Sequence, residues 1–258
     1  MGRPGNRLKQ FAAILLLGGL AACASAPSET RAPAPFAALS ASATGNGFSE
    51  NGLAALDAAM ASAVDDGHVK GISTLLVRDG EVIHYFTHGI RRAEDQAPVT
   101  EDTIFRIYSM SKPLTGVALM TLYEDGAFSL DDPVTKFVPE FAGLKVLEGT
   151  DANGQPILAE MDHVPTMREL MSHTAGFGYG LGGDDPVNQA FRDQAVLGSP
   201  DLDTYIAKVA GIPLLFQPGS DWSYSTAVDI QGYIIQKISG KPFGQYLQDE
   251  IFAPLGMT

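Results

Sequence analysis

The chain has 258 residues with 17 Lys and Arg against 30 Asp and Glu, a formal net charge of −13, and a single cysteine. That charge argues against nucleic acid, since it offers no patch able to neutralise phosphates. One cysteine cannot close an internal disulfide, and 45% hydrophobic residues in a chain this long are ample for one core or two closely joined subdomains.

Arg3, Arg7 and Lys9 precede the apolar run Phe11 to Leu20, which is too short to span a bilayer and has the shape of an export signal. The run ends in Leu20-Ala21-Ala22-Cys23, which resembles a bacterial lipobox, in which the cysteine becomes the acylated first residue of the mature chain. The expected product is an exported lipoprotein held on the extracytoplasmic side through Cys23. Removing residues 1–22 takes three of the 17 basic groups and no acidic ones, leaving 14 against 30 and a net charge near −16. An anionic membrane surface repels such a chain, so the lipid is the expected attachment. Residues 23–50, rich in Ala, Ser and Pro, read as a tether, and residues 51–258 as the folded domain.

Leu53, Leu56, Met60 and Val64 recur at helical spacing before Gly67, which predicts an amphipathic helix over 51–66. The period then changes. Ile72 to Arg78 and Glu81 to His88 are rich in β-branched and aromatic residues, and Asp79-Gly80 between them predicts a tight hairpin. A third strand-like run, Thr103 to Tyr108, leads into Ser109-Met110-Ser111-Lys112. The tetrapeptide alone carries no weight, because about one Ser-x-x-Lys is expected by chance in a chain this long. Its context does. Pro113 suits a first helical turn, and Leu114, Val117, Ala118, Leu119, Met120 and Leu122 make the following helix, 111–125, apolar almost all round and therefore buried. If the helix opens at Ser109, residues 109 and 112 share a face one turn apart. An amine kept uncharged there, by burial and by the positive end of the helix dipole, can take a serine proton.

Beyond Gly126 the middle of the chain reads as loops and short helices, including Met167 to Met171 and Asp201 to Val209. Helices over Val228 to Ile238 and Phe243 to Ile251 follow. Strands at one end and helices at the other predict an α+β fold, an antiparallel sheet flanked by helices plus a mainly helical subdomain.

Several motifs in order then carry a family likeness. Ile104-Phe105-Arg106 precedes Ser109 and Lys112, Leu130-Asp131-Asp132-Pro133-Val134 follows their helix, and Leu170-Met171-Ser172-His173-Thr174-Ala175-Gly176 comes next. Pro218-Gly219 then stands ahead of Tyr224-Ser225. Together they resemble the serine β-lactamase and penicillin-binding-protein superfamily from about residue 52 onward, nearest to class C β-lactamases and family VIII carboxylesterases. The resemblance implies Ser109 as acylated nucleophile, Lys112 as the amine that takes or holds its proton, and Tyr224 as the phenol of the second motif. A phenol beside an ammonium is favoured as phenolate, so Lys112 and Tyr224 can share one proton. The likeness implies no cofactor and no metal.

Two departures shape the expected activity. In β-lactamases the tyrosine motif resembles Tyr-x-Asn, whose carboxamide contacts the substrate amide, whereas Thr226 stands here and no Tyr-x-Asn occurs. Threonine cannot offer the same paired donor and acceptor, which moves small carboxylic esters ahead of lactams and cell-wall peptides. The family's later strand motif, which supplies one of two backbone oxyanion donors, is also absent before Thr258. Loss of one such donor costs about 2.7–4 kcal/mol of transition-state stabilisation. The domain therefore reads as C-terminally incomplete, and a non-catalytic peptide-binding lipoprotein stands as the alternative if the length is natural.

Other clusters read as structural. His84 and His88 on one strand face are about 13 Å apart, too far for one metal. His173 reads as a structural residue near the site. Asp131-Asp132 and Asp184-Asp185 each precede a proline and read as turn or helix-start residues.

Overall fold

A computed structural model describes residues 47–257. The export signal, Cys23 and nearly all of the tether lie outside the described residues. The chain divides between Phe105 and Arg106 into two compact units.

In the first unit, Ser49 caps helix α1 (Glu50–Asp65) by accepting from the Gly52 N–H at 3.1 Å. Leu53 is buried and Leu56, Met60 and Val64 are half-buried, so the apolar stripe faces the protein as its spacing requires. Strands β1 (Gly71–Arg78) and β2 (Glu81–Gly89) pair antiparallel, with Arg78 opposite Glu81. Asp79 and Gly80 have φ of 52° and 80°, the two positive values that a two-residue hairpin turn needs. His84 and His88 bond separately to Asp57 and Asp65 of α1, at 2.7 and 3.0 Å. They fix the helix on the hairpin. Among the described residues, no group of three or more His, Cys, Asp or Glu side chains converges as a metal site.

The run from Thr103 is not a strand. It has no ladder partner, and Ile104 is 96% exposed. Apolar, β-branched composition supports a strand only where a neighbour supplies the hydrogen bonds.

In the second unit a 3₁₀ turn, Tyr108–Ser111, delivers the chain into helix α2 (Lys112–Glu124), within one residue of the predicted bounds 111–125, so Ser109 lies in the turn ahead of the helix and does not open it. Ala118, Leu119 and Leu122 are buried, yet Val117 is 53% exposed, so the apolar circumference does not make α2 buried all round. A hairpin of β3 (Lys145–Thr150) and β4 (Pro156–Glu160) lies where loops were expected. Gly154 has φ of 79°, and Asp151 Oδ1 accepts from the N–H groups of Asn153 and Gln155, each at 2.8 Å. Helices α3 (Met167–Met171), α4 (Pro186–Asp193), α5 (Leu202–Val209), α6 (Ala227–Ser239) and α7 (Phe243–Leu247) complete the unit, with a π-helical turn at Gln248–Phe252.

The second unit's core gathers Leu119 of α2, Leu170 of α3, Ile206 of α5 and Ile230 and Ile234 of α6. Each such side chain contributes about 1.5–3 kcal/mol when removed from water. The consequence is positional: α2 and α6, whose N-terminal ends carry the candidate groups, are held against one another by their own apolar faces. The described residues thus combine helices with two separate two-stranded antiparallel sheets, in agreement with the α+β expectation.

Candidate active site

Ser109 lies in the 3₁₀ turn ahead of α2, immediately after Tyr108, whose φ is 47°. A bulky residue in the left-handed region is strained. Lys112 opens α2 itself. Tyr224 lies in the irregular stretch before α6, and the fold brings all three together: the Tyr224 hydroxyl donates to Ser109 Oγ at 2.7 Å, and Lys112 Nζ to the same oxygen at 3.3 Å. Lys112 Nζ also sits 4.8 Å from the Tyr224 ring centroid, within cation–π range.

The charge state of Lys112 differs from the expectation of a free amine. Burial is the largest single influence and does favour the neutral form, but the hydrogen-bonding oxygens of Tyr224 and Tyr179 outweigh it and hold the ammonium above the usual lysine range. Tyr224 responds in the opposite sense. The Lys112 ammonium beside it, helped by Ser109, lowers its phenol below the ordinary tyrosine value. Of the two groups around Ser109 Oγ, Tyr224 is therefore the better proton acceptor and Lys112 the charge that keeps it so.

Two site groups were not legible in the sequence. Tyr179 accepts from Lys112 Nζ at 3.4 Å and packs edge-on to Tyr224 with ring centroids 5.6 Å apart. It is held in place by the buried Asn188 of α4, whose Oδ1 accepts from the N–H groups of Tyr179 and Gly180 at 3.1 and 2.9 Å. The second is Asp229, in the first turn of α6, which lines the cavity beside Ser109. The aromatic cluster Phe177-Gly178-Tyr179 directly after the Gly176 motif was the one available signal for Tyr179.

His173 acts as a floor. Its ring stacks on Tyr224 at 5.3 Å and 26°, and its Nδ1 accepts from the Ser225 N–H at 3.2 Å. Burial, then the Lys112 charge, lowers its pKa, so the ring is neutral. Its backbone φ of 62° turns the ring under the tyrosine. Helix α3 sets this geometry through a capping box, in which Thr166 and Glu169 satisfy one another's N–H groups at 2.8 and 3.2 Å. Asp185 is the N-cap of α4 and Asp132 accepts from the Ser129 N–H, so both acidic pairs serve turns and helix starts.

A cavity of about 520 Å³ opens beside Ser109, walled by Tyr179, Leu181, Leu202, Val228 and Phe243. Thr226 takes no part in it. Its side chain is fully buried and its hydroxyl donates to Asp229 Oδ2 at 3.4 Å.

Residues 56–258 match the family described as Beta-lactamase. Esterase EstB of Burkholderia gladioli is 32% identical over 208 residues, covering 79% of this chain and 50% of that protein. Among solved structures, EstCE1, a hydrolase with promiscuous acyltransferase activity, superposes with a TM-score of 0.66 and 30% identity over 79% of this chain and 51% of its own. Unliganded simvastatin synthase (LovD) of Aspergillus terreus gives 0.67 and 27% over 82% and 54%. The chain spans about half the length of the curated relatives it matches. With its Ser109, Lys112 and Tyr224 converged as the motif order implied, this chain belongs to the Beta-lactamase family and has the β-lactamase/transpeptidase-like fold.

Proposed function

We propose that the protein is a serine hydrolase that cleaves small carboxylic esters through an acyl-enzyme on Ser109. The observation that carries the reading is the pair of contacts to a single oxygen, Tyr224 at 2.7 Å and Lys112 at 3.3 Å. In the forward step Ser109 Oγ attacks the ester carbonyl while its proton passes to the Tyr224 oxygen, and the Lys112 ammonium stabilises the phenolate that receives it. Collapse of the tetrahedral adduct breaks the bond to the alcohol, which leaves with that proton. Water then attacks the acyl-enzyme and gives a proton of its own to the Tyr224 oxygen, which passes it to Ser109 Oγ as the bond to the acyl group breaks and the carboxylic acid leaves.

Esters are favoured over lactams and cell-wall peptides because Thr226 is buried and committed to Asp229, so it cannot play the part of a substrate-binding carboxamide. The apolar walls of the cavity support a second reading in which an alcohol replaces water in the second step. Acyl transfer is the activity named for EstCE1, which resembles this chain. A labelled fluorophosphonate applied to the protein should give an adduct that maps to Ser109. Labelling that persists in Ser109→Ala would remove the basis for the reading, and ester, lactam and alcohol-acceptor assays run together would separate the activities.

We further propose export and lipid anchoring at Cys23, with residues 23–50 as tether and 51–258 as catalytic domain, on the strength of the amino-terminal pattern. Incorporation of labelled palmitate that is unchanged in Cys23→Ser would refute the anchor.

A further inference from the structure

Asp229 is not an ordinary first-turn acid. Such residues usually keep their charge in water, where they complement the helix dipole. Asp229 instead lines the Ser109 cavity, and among its lining residues Lys112 is the one cation and Asp229 the one carboxylate. Thr226 donates to its Oδ2 and receives its N–H, at 3.4 and 3.0 Å, which directs the carboxylate. Beside it lies Tyr205 of α5, 5% exposed, whose buried hydroxyl interacts with the Asp229 carboxylate. The charged and titratable groups that act on Asp229 or feel it are thus Lys112 from α2, Tyr205 from α5 and Tyr224 from the segment before α6.

We propose that Asp229 is a positioning residue that sets where the proton shared by Lys112 and Tyr224 resides. It acts through those two side chains and does not touch the reacting carbonyl. The proposal rests on the reading of Ser109, Lys112 and Tyr224 given above. A carboxylate lining the same cavity as Lys112 favours its ammonium and disfavours the neighbouring Tyr224 phenolate, so its charge raises the pH at which either group gives up its proton. Burial pushes the Asp229 carboxyl up, and the Lys112 charge draws it back. The Asp229 charge in turn opposes ionisation of Tyr224. The pair titrates as a unit, so whichever atom loses the proton, removal of the carboxylate moves the transition the same way.

The test uses the full chain with Asp229→Asn, Asp229→Ser and Asp229→Glu. Two readouts are followed: tyrosinate absorbance against pH, differenced against Tyr224→Phe, and the acid limb of Ser109 labelling by a fluorophosphonate. Both neutral variants should move the Tyr224 transition and the acid limb down by about one pH unit, a tenfold change in the proton equilibrium, and Asp229→Glu should stay near the wild type. Curves that overlay the wild type, or shift upward, in either folded neutral variant would overturn the proposal. So would loss of the folded circular-dichroism signal in both, which would make Asp229 a structural residue. Ser109→Ala distinguishes this failure from failure of the reading beneath it. Labelling that survives Ser109→Ala sinks the enzyme assignment, whereas a displaced tyrosinate curve supports Asp229 regardless of turnover.

Discussion

Tyr224→Phe isolates one atom of the site. The phenol oxygen is 2.7 Å from Ser109 Oγ, while the ring's stack on His173 and its 4.8 Å approach to Lys112 need only the ring, which phenylalanine keeps. Stability should change by only about 1 kcal/mol, because the residue is 40% exposed and the hydrogen bonds its hydroxyl loses are solvent-accessible. Acylation should fall far more. A positioned proton-transfer group contributes about 10²–10⁴-fold, or roughly 3–5 kcal/mol in the barrier. Lys112 also loses the largest of the influences that hold it charged, leaving Tyr179 against the pull of burial. Its pKa should fall, and the residual reaction should climb with pH through the alkaline range as the free amine takes over. The rate of fluorophosphonate labelling at Ser109 across pH measures this, with a urea melt as control. A folded Tyr224→Phe that labels at the wild-type rate with an unchanged pH profile would refute the role given to the phenol.

Two further outcomes concern the scaffold. Gly176 has φ of 89°, and a Cβ there would lie 2.4 Å from the Phe216 carbonyl oxygen, so Gly176→Ala should cost about 2–4 kcal/mol, read as a lower urea midpoint; an unchanged midpoint would show that the backbone of Phe216 retreats freely. Glu169 is drawn upward by burial, but the hydrogen bonds from Thr166 and His163 prevail and depress its carboxyl below the usual glutamate value. A depressed carboxylate contributes stability that is present above the unfolded value of about 4.3 and is lost as pH falls through the folded one. Urea midpoints at neutral and acid pH should therefore differ less in Glu169→Gln than in the wild type. An equal acid loss in both would show that Glu169 is not the source.

Local pattern alone determined a good deal of this protein. Helix α1, the Asp79-Gly80 hairpin and the short helix Met167–Met171 all follow from side-chain period, turn chemistry and capping, which act over a few residues and need no partner. The ordered motifs around Ser109, Lys112 and Tyr224 were legible for the same reason, being short and self-contained. Long-range partners decided the rest. The run before Ser109 was left without a ladder neighbour, and Val146 of β3, in a stretch expected to be loop, bridges to Leu214, far along the chain. Only tertiary packing could bring Tyr179 and Tyr224 to Lys112 and reverse the expected charge of that lysine, because a pKa depends on which oxygens and charges lie near a nitrogen in space, and residues 112, 179 and 224 are strangers along the chain.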